Sequence, residues 1–389
     1  MSLRRVVIVG CGVFGVGAAI ELQRRGFEVE VIDPGPLPSP DASSTDISKA
    51  ARVDYGGDEF YVDLAERALD RWREWNRDWA TPPFHEVGFL LMTPSPMTAG
   101  EFEADGFELL SRRGHQPRRL DAATRHQYFP LWSAPHLVDG YFNDIGGWVE
   151  ADRVMEHLIA AAVAHGVLLR EGWTCVDLCF EGSRVTGARL QDGQVRSADF
   201  VLVCAGAWTP VLLPQLADLM WPTAQPVLHF APDNPEAYVG DRFPVWGADI
   251  TRTGWYGFPA TEAGVVKIGN HGPGRRVHPD DPREIGHDVE QRFREFLAST
   301  LPDLAEAPLV GGRHCLYCDT WDGNFWIDHD PDHEGLVVAC GGSGHGFKFA
   351  PLIGEIIADV VEGLPNDDAH RFAWRTRGKL EVEASRRRS

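Results

Sequence analysis

The chain has 389 residues, 43% of them hydrophobic, and this composition predicts a soluble globular protein with a large core and room for two domains. Its 57 acidic and 37 basic residues give a formal net charge of −20, which disfavours binding to nucleic acid or to an anionic membrane surface. We expect a cytoplasmic protein, because the chain has no apolar run of membrane-span length, no room for a signal peptide and no secreted-type cysteine pattern.

The first segment predicts a dinucleotide-binding βαβ unit. An apolar strand, residues 6–9, runs into a G-x-G-x-x-G turn formed by Gly10, Gly12 and Gly15, and a helix and a second strand follow. Gly10 permits the tight turn, Gly12 lets a pyrophosphate approach the backbone, and Gly15 lets helix and strand pack closely. Asp33 ends the second strand, 18 residues after Gly15, where a carboxylate can accept a hydrogen bond from an adenosine ribose. The unit does not separate NAD from FAD.

The next segments are an irregular connection and an amphipathic helix. The proline-rich stretch 34–40 predicts an irregular connection, because successive prolines fix φ and remove backbone donors. It leads into the polar segment 43–52, which we expect to lie across the dinucleotide. Apolar residues at helical spacing over 58–79 predict a helix capped by Asp58, with its tryptophans in the core.

Two excursions leave this first domain. A strand over 86–92 and a polar helix over 101–113 begin the first excursion, and the chain returns with a helix that ends near residue 164. Residues 225–319 form a second, largely β excursion with one helix near 289–297.

Two further segments are typical of sites where backbone approaches a cofactor. The buried strand 200–204 breaks into small residues at 205–207, and the strand 335–340 runs into a glycine-rich loop, 341–348, that precedes a helix. We interpret the first segment as a second flank of the dinucleotide site and the second as another loop that feeds a helix N-terminus.

Cys315, in the segment Arg313-His314-Cys315-Leu316-Tyr317-Cys318, has several interpretations. It fits a small core residue, a C-x-x-C redox pair with Cys318, or half of a zinc site with His314. The chain has one C-x-x-C, a closed zinc site needs four ligands, and a redox pair normally opens a helix, whereas this pair ends a strand. The metal and dithiol interpretations are therefore disfavoured, and no metal site is predicted.

Several charged or aromatic residues have ordinary structural interpretations when each is taken alone. Lys267 fits a lysine on the solvent-facing side of a strand, and Arg52 and Lys348 fit surface ion pairs. Three more residues fit ordinary core or strand positions: Tyr256, His271 and Tyr317.

Five blocks along nearly the whole length carry a family resemblance: Gly10–Asp33, Ala198–Trp208, Arg313–Tyr317, Ile327–Asp328 and Ser343–Phe349. The last blocks are more selective than the glycine fingerprint. The chain resembles the family of monomeric sarcosine oxidase and N-methyl amino acid oxidases, which are D-amino-acid oxidase-like, FAD-dependent amine oxidoreductases.

The resemblance implies FAD, joined through the sulfur of Cys315 to the flavin 8α-methyl group. Such a tether raises the flavin potential and prevents loss of the cofactor, and Arg313 and His314 beside the sulfur favour the reactive thiolate. The residues assigned to the cofactor site are Gly10, Gly12, Val13, Phe14, Gly15, Asp33, Ser43, Ser44, Lys49, Arg52, Val176, Ala205, Gly206, Trp208, Cys315, Gly342, Ser343, Gly344, His345, Gly346, Phe347 and Lys348.

The resemblance also implies catalytic roles. Lys267 matches a lysine over the flavin N5 region, whose fixed charge stabilises reduced oxygen species as electrons leave the flavin. Arg52 and Lys348 match a pair of cations that hold the substrate carboxylate. The remaining residues matched to the substrate pocket are Tyr256, His271 and Tyr317.

The chain departs from the sarcosine oxidase pattern at the substrate walls. Lys49 stands where an arginine lies under the flavin, and Cys318 replaces a threonine next to the substrate. Trp246 and Gly247 fall where a methionine lines the pocket. Sarcosine is therefore no better a prediction than a bulkier secondary amine or N-alkyl amino acid.

We predict an α/β fold with a discontinuous, Rossmann-like FAD-binding domain and a mixed, mainly antiparallel β substrate domain. The predicted FAD-binding domain comprises residues 1–84, 146–224 and 320–378. The predicted substrate domain comprises residues 85–145 and 225–319, and residues 379–389 form a tail.

We expect an oxidase that acts on CH–NH donors. Hydride transfer from the carbon next to a neutral amine to flavin N5 gives an imine, and O2 is then reduced to H2O2. The expected partners are a small amine or amino acid and O2, and the protein is expected to be a monomer. The alternatives are an amine dehydrogenase that uses a carrier, a biosynthetic tailoring enzyme acting on a larger amine, and a flavin-binding protein without turnover. An NAD-linked dehydrogenase is disfavoured.

Overall fold

The computed structural model describes residues 4–378, so the predicted tail lies outside the described residues. The helices in this part of the chain are α1 (Val13–Arg24), α2 (Glu59–Asp78), α3 (Phe102–Arg112), α4 (Ala122–Tyr128), α5 (Ala151–Ala164), α6 (Thr209–Leu212), α7 (His287–Thr300), α8 (Pro302–Glu306), α9 (Ala350–Glu362) and α10 (Ala369–Phe372).

The strands form two large and two small sheets. The strands of the first half are β1 (Arg5–Val9), β2 (Glu28–Asp33), β3 (Lys49–Arg52), β4 (Phe84–His85), β5 (Phe89–Thr93), β6 (Arg118–Arg119), β7 (Asp139–Asn143), β8 (Gly146–Val149), β9 (Leu168–Glu171), β10 (Cys175–Glu181) and β11 (Arg184–Leu190). Those of the second half are β12 (Val195–Ser197), β13 (Phe200–Val203), β14 (Met220–Phe230), β15 (Val245–Ala248), β16 (Trp255–Gly257), β17 (Val266–Asn270), β18 (Arg275–Arg276), β19 (Leu309–Thr320), β20 (Trp326–His329) and β21 (Leu336–Cys340).

The first large sheet has the order β20-β21-β13-β1-β2-β9, and its neighbours pair in parallel except β20 with β21. Its central strand β1 is apolar and buried along residues 6–9, which is typical of a parallel sheet covered on both faces. Helices α5 and α9 both pack against α1. Gly17 and Gly354 allow the approach of α1 and α9, since a Cβ at 354 would lie 2.4 Å from the Gly17 carbonyl oxygen.

The second large sheet has nine strands in the order β18-β14-β17-β16-β15-β5-β7-β6, with β19 paired to β14. Only β15 and β5 pair in parallel, so the sheet is mixed and mainly antiparallel. Side chains alternate between its faces, as the pleat requires. Val266 and Ile268 enter one hydrophobic cluster with α7, whereas Lys267 between them faces the opposite side. The predicted fold class is confirmed.

Element bounds differ from the prediction mainly in the first excursion. The predicted strand 86–92 begins only at Phe89, because the backbone of Gly88 has a positive φ of 78°. Helix α2 has the predicted Asp58 cap, whose side chain accepts a hydrogen bond from the backbone N–H of Tyr61. Helix α4 was not predicted, because seven residues are too few to show an apolar period. The proposed domain ranges stay a prediction.

Candidate functional site

A cavity of about 800 Å³ lies where the carboxyl ends of β1, β2 and β13 meet one face of the nine-stranded sheet. Its volume is that of a large small-molecule site, and its place at the strand ends is typical of α/β proteins. All predicted site residues line it except Gly15. They are Gly10, Gly12, Val13, Phe14, Asp33, Ser43, Ser44, Lys49, Arg52, Val176, Ala205, Gly206, Trp208, Tyr256, Lys267, His271, Cys315, Tyr317, Gly342, Ser343, Gly344, His345, Gly346, Phe347 and Lys348.

The glycine turn after β1 forms one end of the cavity. Gly10 has a φ of 102°, and a Cβ there would lie 2.6 Å from the carbonyl oxygen of Cys204. Gly15 lies behind the turn, where a Cβ would lie 2.0 Å from the Gly10 carbonyl oxygen. Gly15 therefore acts through packing, as the sequence predicted, and not as part of the cavity lining.

Asp33 lies at the same end, at the end of β2. Its two carboxylate oxygens accept hydrogen bonds from the backbone N–H groups of Cys11 and Gly35, each at 2.8 Å. Burial raises the pKa of Asp33, and these two hydrogen bonds oppose that shift. Each oxygen keeps a second lone pair, so the predicted acceptor role toward a ribose hydroxyl is chemically open.

Residues 34–45, which we call the strap, run along the rim of the cavity. The guanidinium of Arg313 on β19 donates to backbone carbonyls in the strap, and so does that of Arg283. The Ser43 hydroxyl returns a hydrogen bond to the backbone carbonyl of Leu316 on β19. The sequence placed Arg313 beside Cys315 as an electrostatic aid, whereas the structure also makes it an anchor for the strap.

Cys315 lies on β19 in the cavity wall and is 5% exposed. It and Cys318 are both free thiols, and they belong to different hydrophobic clusters. Within residues 4–378, no group of three or more His, Cys, Asp or Glu side chains could hold a metal ion.

Lys267 is buried and paired, so the interpretation as a solvent-facing lysine is wrong. Its side chain is 4% exposed, and Nζ lies 2.6 Å from Asp46 Oδ2 and 2.7 Å from the Ser48 carbonyl oxygen. The second oxygen of Asp46 lies 3.2 Å from His229 Nε2. We call Lys267, Asp46 and His229 the lysine cluster.

Burial and the charges inside the lysine cluster shift the pKa values of Asp46 and Lys267. Burial would raise the pKa of the Asp46 carboxyl, but Lys267 and His229 outweigh burial and hold it well below its usual range. Burial lowers the pKa of Lys267 to about 8, although Asp46 partly opposes the shift. The cluster thus keeps an ammonium in the cavity wall that can lose its proton near neutral pH.

Arg52 and Lys348 both lie near the Tyr55 ring. The Arg52 guanidinium carbon lies 5.0 Å from the Phe89 ring and 5.4 Å from the Tyr55 ring, and Nη1 is buried without a hydrogen-bond partner among residues 4–378. Lys348 is 5% exposed, and its Nζ donates to the Tyr55 hydroxyl at 2.9 Å and to the His345 carbonyl at 3.0 Å. The interpretation of both cations as surface ion pairs is therefore wrong.

Three ring side chains of the predicted substrate pocket contact one another. The Tyr256 hydroxyl forms a hydrogen bond with Tyr317, and burial raises its pKa well above the usual range. The His271 and Tyr317 rings are 5.7 Å apart. Tyr317 also covers Gly344 in the glycine-rich loop, where a Cβ would lie 2.3 Å from the ring.

Sequence reasoning missed part of the lining. Asp46 belongs to no recognised motif. Its pairing with Lys267 joins segments that are far apart in the chain, so no local pattern in the sequence indicated it. Many of the other missed residues are apolar and resemble ordinary core residues in the sequence, so no motif marked them. They include Phe89, Val245, Ile250 and Phe258.

Comparisons with known proteins are consistent with this site. The model of the family described as FAD dependent oxidoreductase matches residues 5–360. The chain belongs to this family. Its relatives include the monomeric sarcosine oxidase of Bacillus sp. (strain B-0618), which is 28% identical over 92% of this chain and 91% of its own length. The N-methyl-L-tryptophan oxidase of Escherichia coli (strain K12) is 28% identical over 93% of this chain and 96% of its own length.

A solved structure agrees with the fold of this FAD dependent oxidoreductase. The fructosyl amine: oxygen oxidoreductase Amadoriase I from Aspergillus fumigatus superposes with a TM-score of 0.83 at 28% identity, covering 96% of this chain and 90% of that one. The family and the structural match together confirm the predicted fold and FAD as the cofactor of this family.

The lining of the cavity fits FAD. Gly206 has a φ of 52° and no atom within 4 Å of an added Cβ, so a side chain there would enter the cavity. Helix α1 begins at Val13, whose N–H donates to Ser44 Oγ at 2.9 Å, and its first turn has no acidic residue, which suits a pyrophosphate. Among residues 4–378, no helix combines the length and the apolar character needed to cross a membrane.

Proposed function

We propose that the protein is an FAD-dependent oxidase of secondary amines or N-alkyl amino acids, with FAD joined to the sulfur of Cys315. One observation carries the proposal: the cavity that fits FAD contains a buried ammonium, Lys267, at one place and an unpaired guanidinium nitrogen, Arg52 Nη1, at another. The relatives are named for the oxidation of sarcosine, N-methyl-L-tryptophan and fructosyl amines, and these names support an amine substrate.

Bound FAD would supply the redox chemistry, taking a hydride equivalent from the carbon next to the amine and reducing O2 to H2O2. Arg52 and Lys348 hold the substrate carboxylate, since the guanidinium and the ammonium both line the cavity near the Tyr55 ring. This contact orients the amino acid for reaction. The imine product is hydrolysed by water.

The lysine cluster stabilises negative charge as oxygen is reduced. A fixed ammonium is worth more in a cavity that excludes water, because the low dielectric strengthens its field. Asp46 holds Lys267 in place, and the Tyr256 hydroxyl forms a hydrogen bond with Tyr317. We propose that these tyrosines and His271 close the substrate pocket, and that the enzyme works as a monomer.

The test uses purified holoenzyme and a panel of secondary amines. We expect at least one amine to bleach the flavin absorbance under anaerobic conditions, and admission of O2 to restore it with one H2O2 released for each substrate oxidised. Bleaching without peroxide release or reoxidation by O2 would instead identify a dehydrogenase that uses a carrier. No bleaching with any amine would contradict the amine oxidoreductase assignment.

A further inference from the structure

One side of the cavity is an apolar wall, which the catalytic assignment does not use. It consists of Phe89 at the start of β5, Val245 at the start of β15, Ile250 just after β15 and Phe258 just after β16. Val245 and Phe89 are direct neighbours in the sheet register, and all four side chains belong to one hydrophobic cluster. We call these four residues the apolar wall.

The apolar wall extends between two of the cations in the cavity. The Phe89 ring lies 5.0 Å from the Arg52 guanidinium carbon, and the Phe258 ring lies 5.0 Å from Lys267 Nζ. A substrate whose carboxylate pairs with Arg52 and whose amine lies toward Lys267 therefore has its side chain next to this wall.

The wall offers no hydrogen-bonding group, and the carboxylates elsewhere in the cavity already have partners. Among the described lining residues, Asp33 accepts from two backbone N–H groups and Asp46 pairs with Lys267. Of the other two, Asp41 Oδ1 lies 3.5 Å from Arg283 Nη1, and Asp280 Oδ1 accepts a hydrogen bond from Trp208 Nε1 at 2.7 Å. A sugar-like or cationic side chain that packs against the wall would lose water partners, and the wall itself offers no hydrogen-bonding group in return.

From this arrangement we infer that the substrate is an N-alkyl amino acid with a bulky apolar side chain that lies on the apolar wall. The inference deepens the proposed function and rests on it. The unpaired Arg52 Nη1 recognises the carboxylate, and the wall recognises the side chain by removing its apolar surface from water. Sarcosine, which has no side chain, and a fructosyl amino acid, whose sugar is rich in hydroxyls, are then poor substrates.

The first experiment compares N-methylphenylalanine, sarcosine and N-fructosylglycine with the holoenzyme. We expect kcat/KM for N-methylphenylalanine to exceed that for each of the other two by about 10-fold or more, because a single methylene in an apolar pocket already changes this ratio by about 10-fold or more. If sarcosine or N-fructosylglycine is oxidised as efficiently as N-methylphenylalanine, the inference is overturned, while the proposed oxidase activity stands.

Variants of the wall test the location of the side chain. Ile250→Ala should lower kcat/KM for N-methylphenylalanine by about 10-fold and leave that for sarcosine within about 3-fold. Leu90→Val is the control, because Leu90 lies on β5 and belongs to the core on the other face of the sheet. An equal loss for both substrates in Ile250→Ala would contradict the assigned location.

A binding measurement keeps the inference separate from turnover. Phenylacetate and acetate are titrated into the oxidised holoenzyme, and the change in flavin absorbance gives each dissociation constant. We expect phenylacetate to bind about 10-fold more tightly than acetate, and Ile250→Ala to abolish most of the difference. Equal affinities in the wild type would overturn the inference. If no amine is oxidised, the proposed function fails, and this titration still decides whether the wall binds apolar groups.

Discussion

At the scale of single residues, Lys267 shows that the tertiary surroundings decide whether a charged side chain on a strand is exposed or buried. Its neighbours Val266 and Ile268 point into a core, so the strand alternation alone places Lys267 on the opposite face. On that face the Lys267 side chain lies in the wall of the cavity and pairs with Asp46, so it is not exposed to solvent. The cost of burying the ammonium is offset by one carboxylate and one carbonyl oxygen.

The pH dependence of oxygen reduction tests the lysine cluster. With its pKa lowered to about 8, Lys267 is protonated below that pH and loses its charge as the pH rises through it. We expect the rate constant of flavin reoxidation to fall as the pH rises through about 8, measured by stopped-flow absorbance.

Two variants check the origin of this pH dependence. Asp46→Asn should move the fall to lower pH, because it removes the negative charge that favours the ammonium. Lys267→Met should slow reoxidation by about 100-fold at neutral pH and abolish the pH dependence, with anaerobic reduction by substrate retained. An equal loss in both half-reactions would contradict the proposed role of Lys267.

The proposed tether predicts an acid-stable bond at Cys315. Acid precipitation of the wild type should carry the flavin into the pellet, and Cys315→Ala should leave it in the supernatant. Cys318→Ala is the matched control, since this second thiol lines the same cavity three residues along the strand. Flavin in the supernatant of the wild type would rule out the tether.

At the scale of elements, the strap depends on residues from the second sheet. Its proline-rich sequence forms no regular structure, and its position comes from Arg313, Arg283 and the Ser43 hydrogen bond to β19. Among residues 4–378, the strap has no partner strand. An arginine guanidinium has several N–H donors, so it can hold such a segment by donating to its backbone carbonyl groups.

Loss of the Arg313 anchor should loosen the strap. We expect Arg313→Ala to make residues 34–45 cleave at least about 5-fold faster in limited proteolysis, because local opening then costs fewer hydrogen bonds. Cleavage sites are identified by mass spectrometry. Arg112→Ala is the control, as it removes an exposed arginine paired with Glu59 at 2.6 Å. Unchanged cleavage within the strap would show that Arg313 does not hold it.

At the scale of the whole molecule, the cavity lies between the two large sheets. Its lining comes from strand ends of the parallel sheet, from one face of the nine-stranded sheet and from the glycine-rich loop before α9. A cofactor in this place therefore contacts both sheets. Binding to the folded state alone stabilises a protein by mass action.

Removal of FAD should lower the thermal stability of the whole chain. In Cys315→Ala, from which the flavin can be removed, FAD at about 100 times its dissociation constant should add about 2.7 kcal/mol and raise Tm by about 3 °C. Tm is measured by calorimetry with and without FAD. Riboflavin, which lacks the part of FAD assigned to the glycine turn, is the control and should raise Tm less. Equal Tm values with and without FAD would contradict binding between the sheets.

The sequence by itself determined the features that are local in the chain. The strand, glycine turn, helix and acid of residues 6–33 are consecutive, so their pattern predicted the βαβ unit and the dinucleotide end of the cavity. The family resemblance added Cys315, Lys267 and Arg52, which the structure places in one cavity.

Only the tertiary structure decided how these parts meet. The partner of Lys267, the anchors of the strap and the apolar wall all join segments that lie far apart in the chain. In the sequence, Phe89 and Ile250 look like ordinary buried apolar residues. Only the sheet register brings Phe89 beside Val245, and only the tertiary structure places Phe89 and Ile250 in the wall of the cavity. Short-range patterns record which face of a strand is buried, whereas long-range packing decides what that face is buried against.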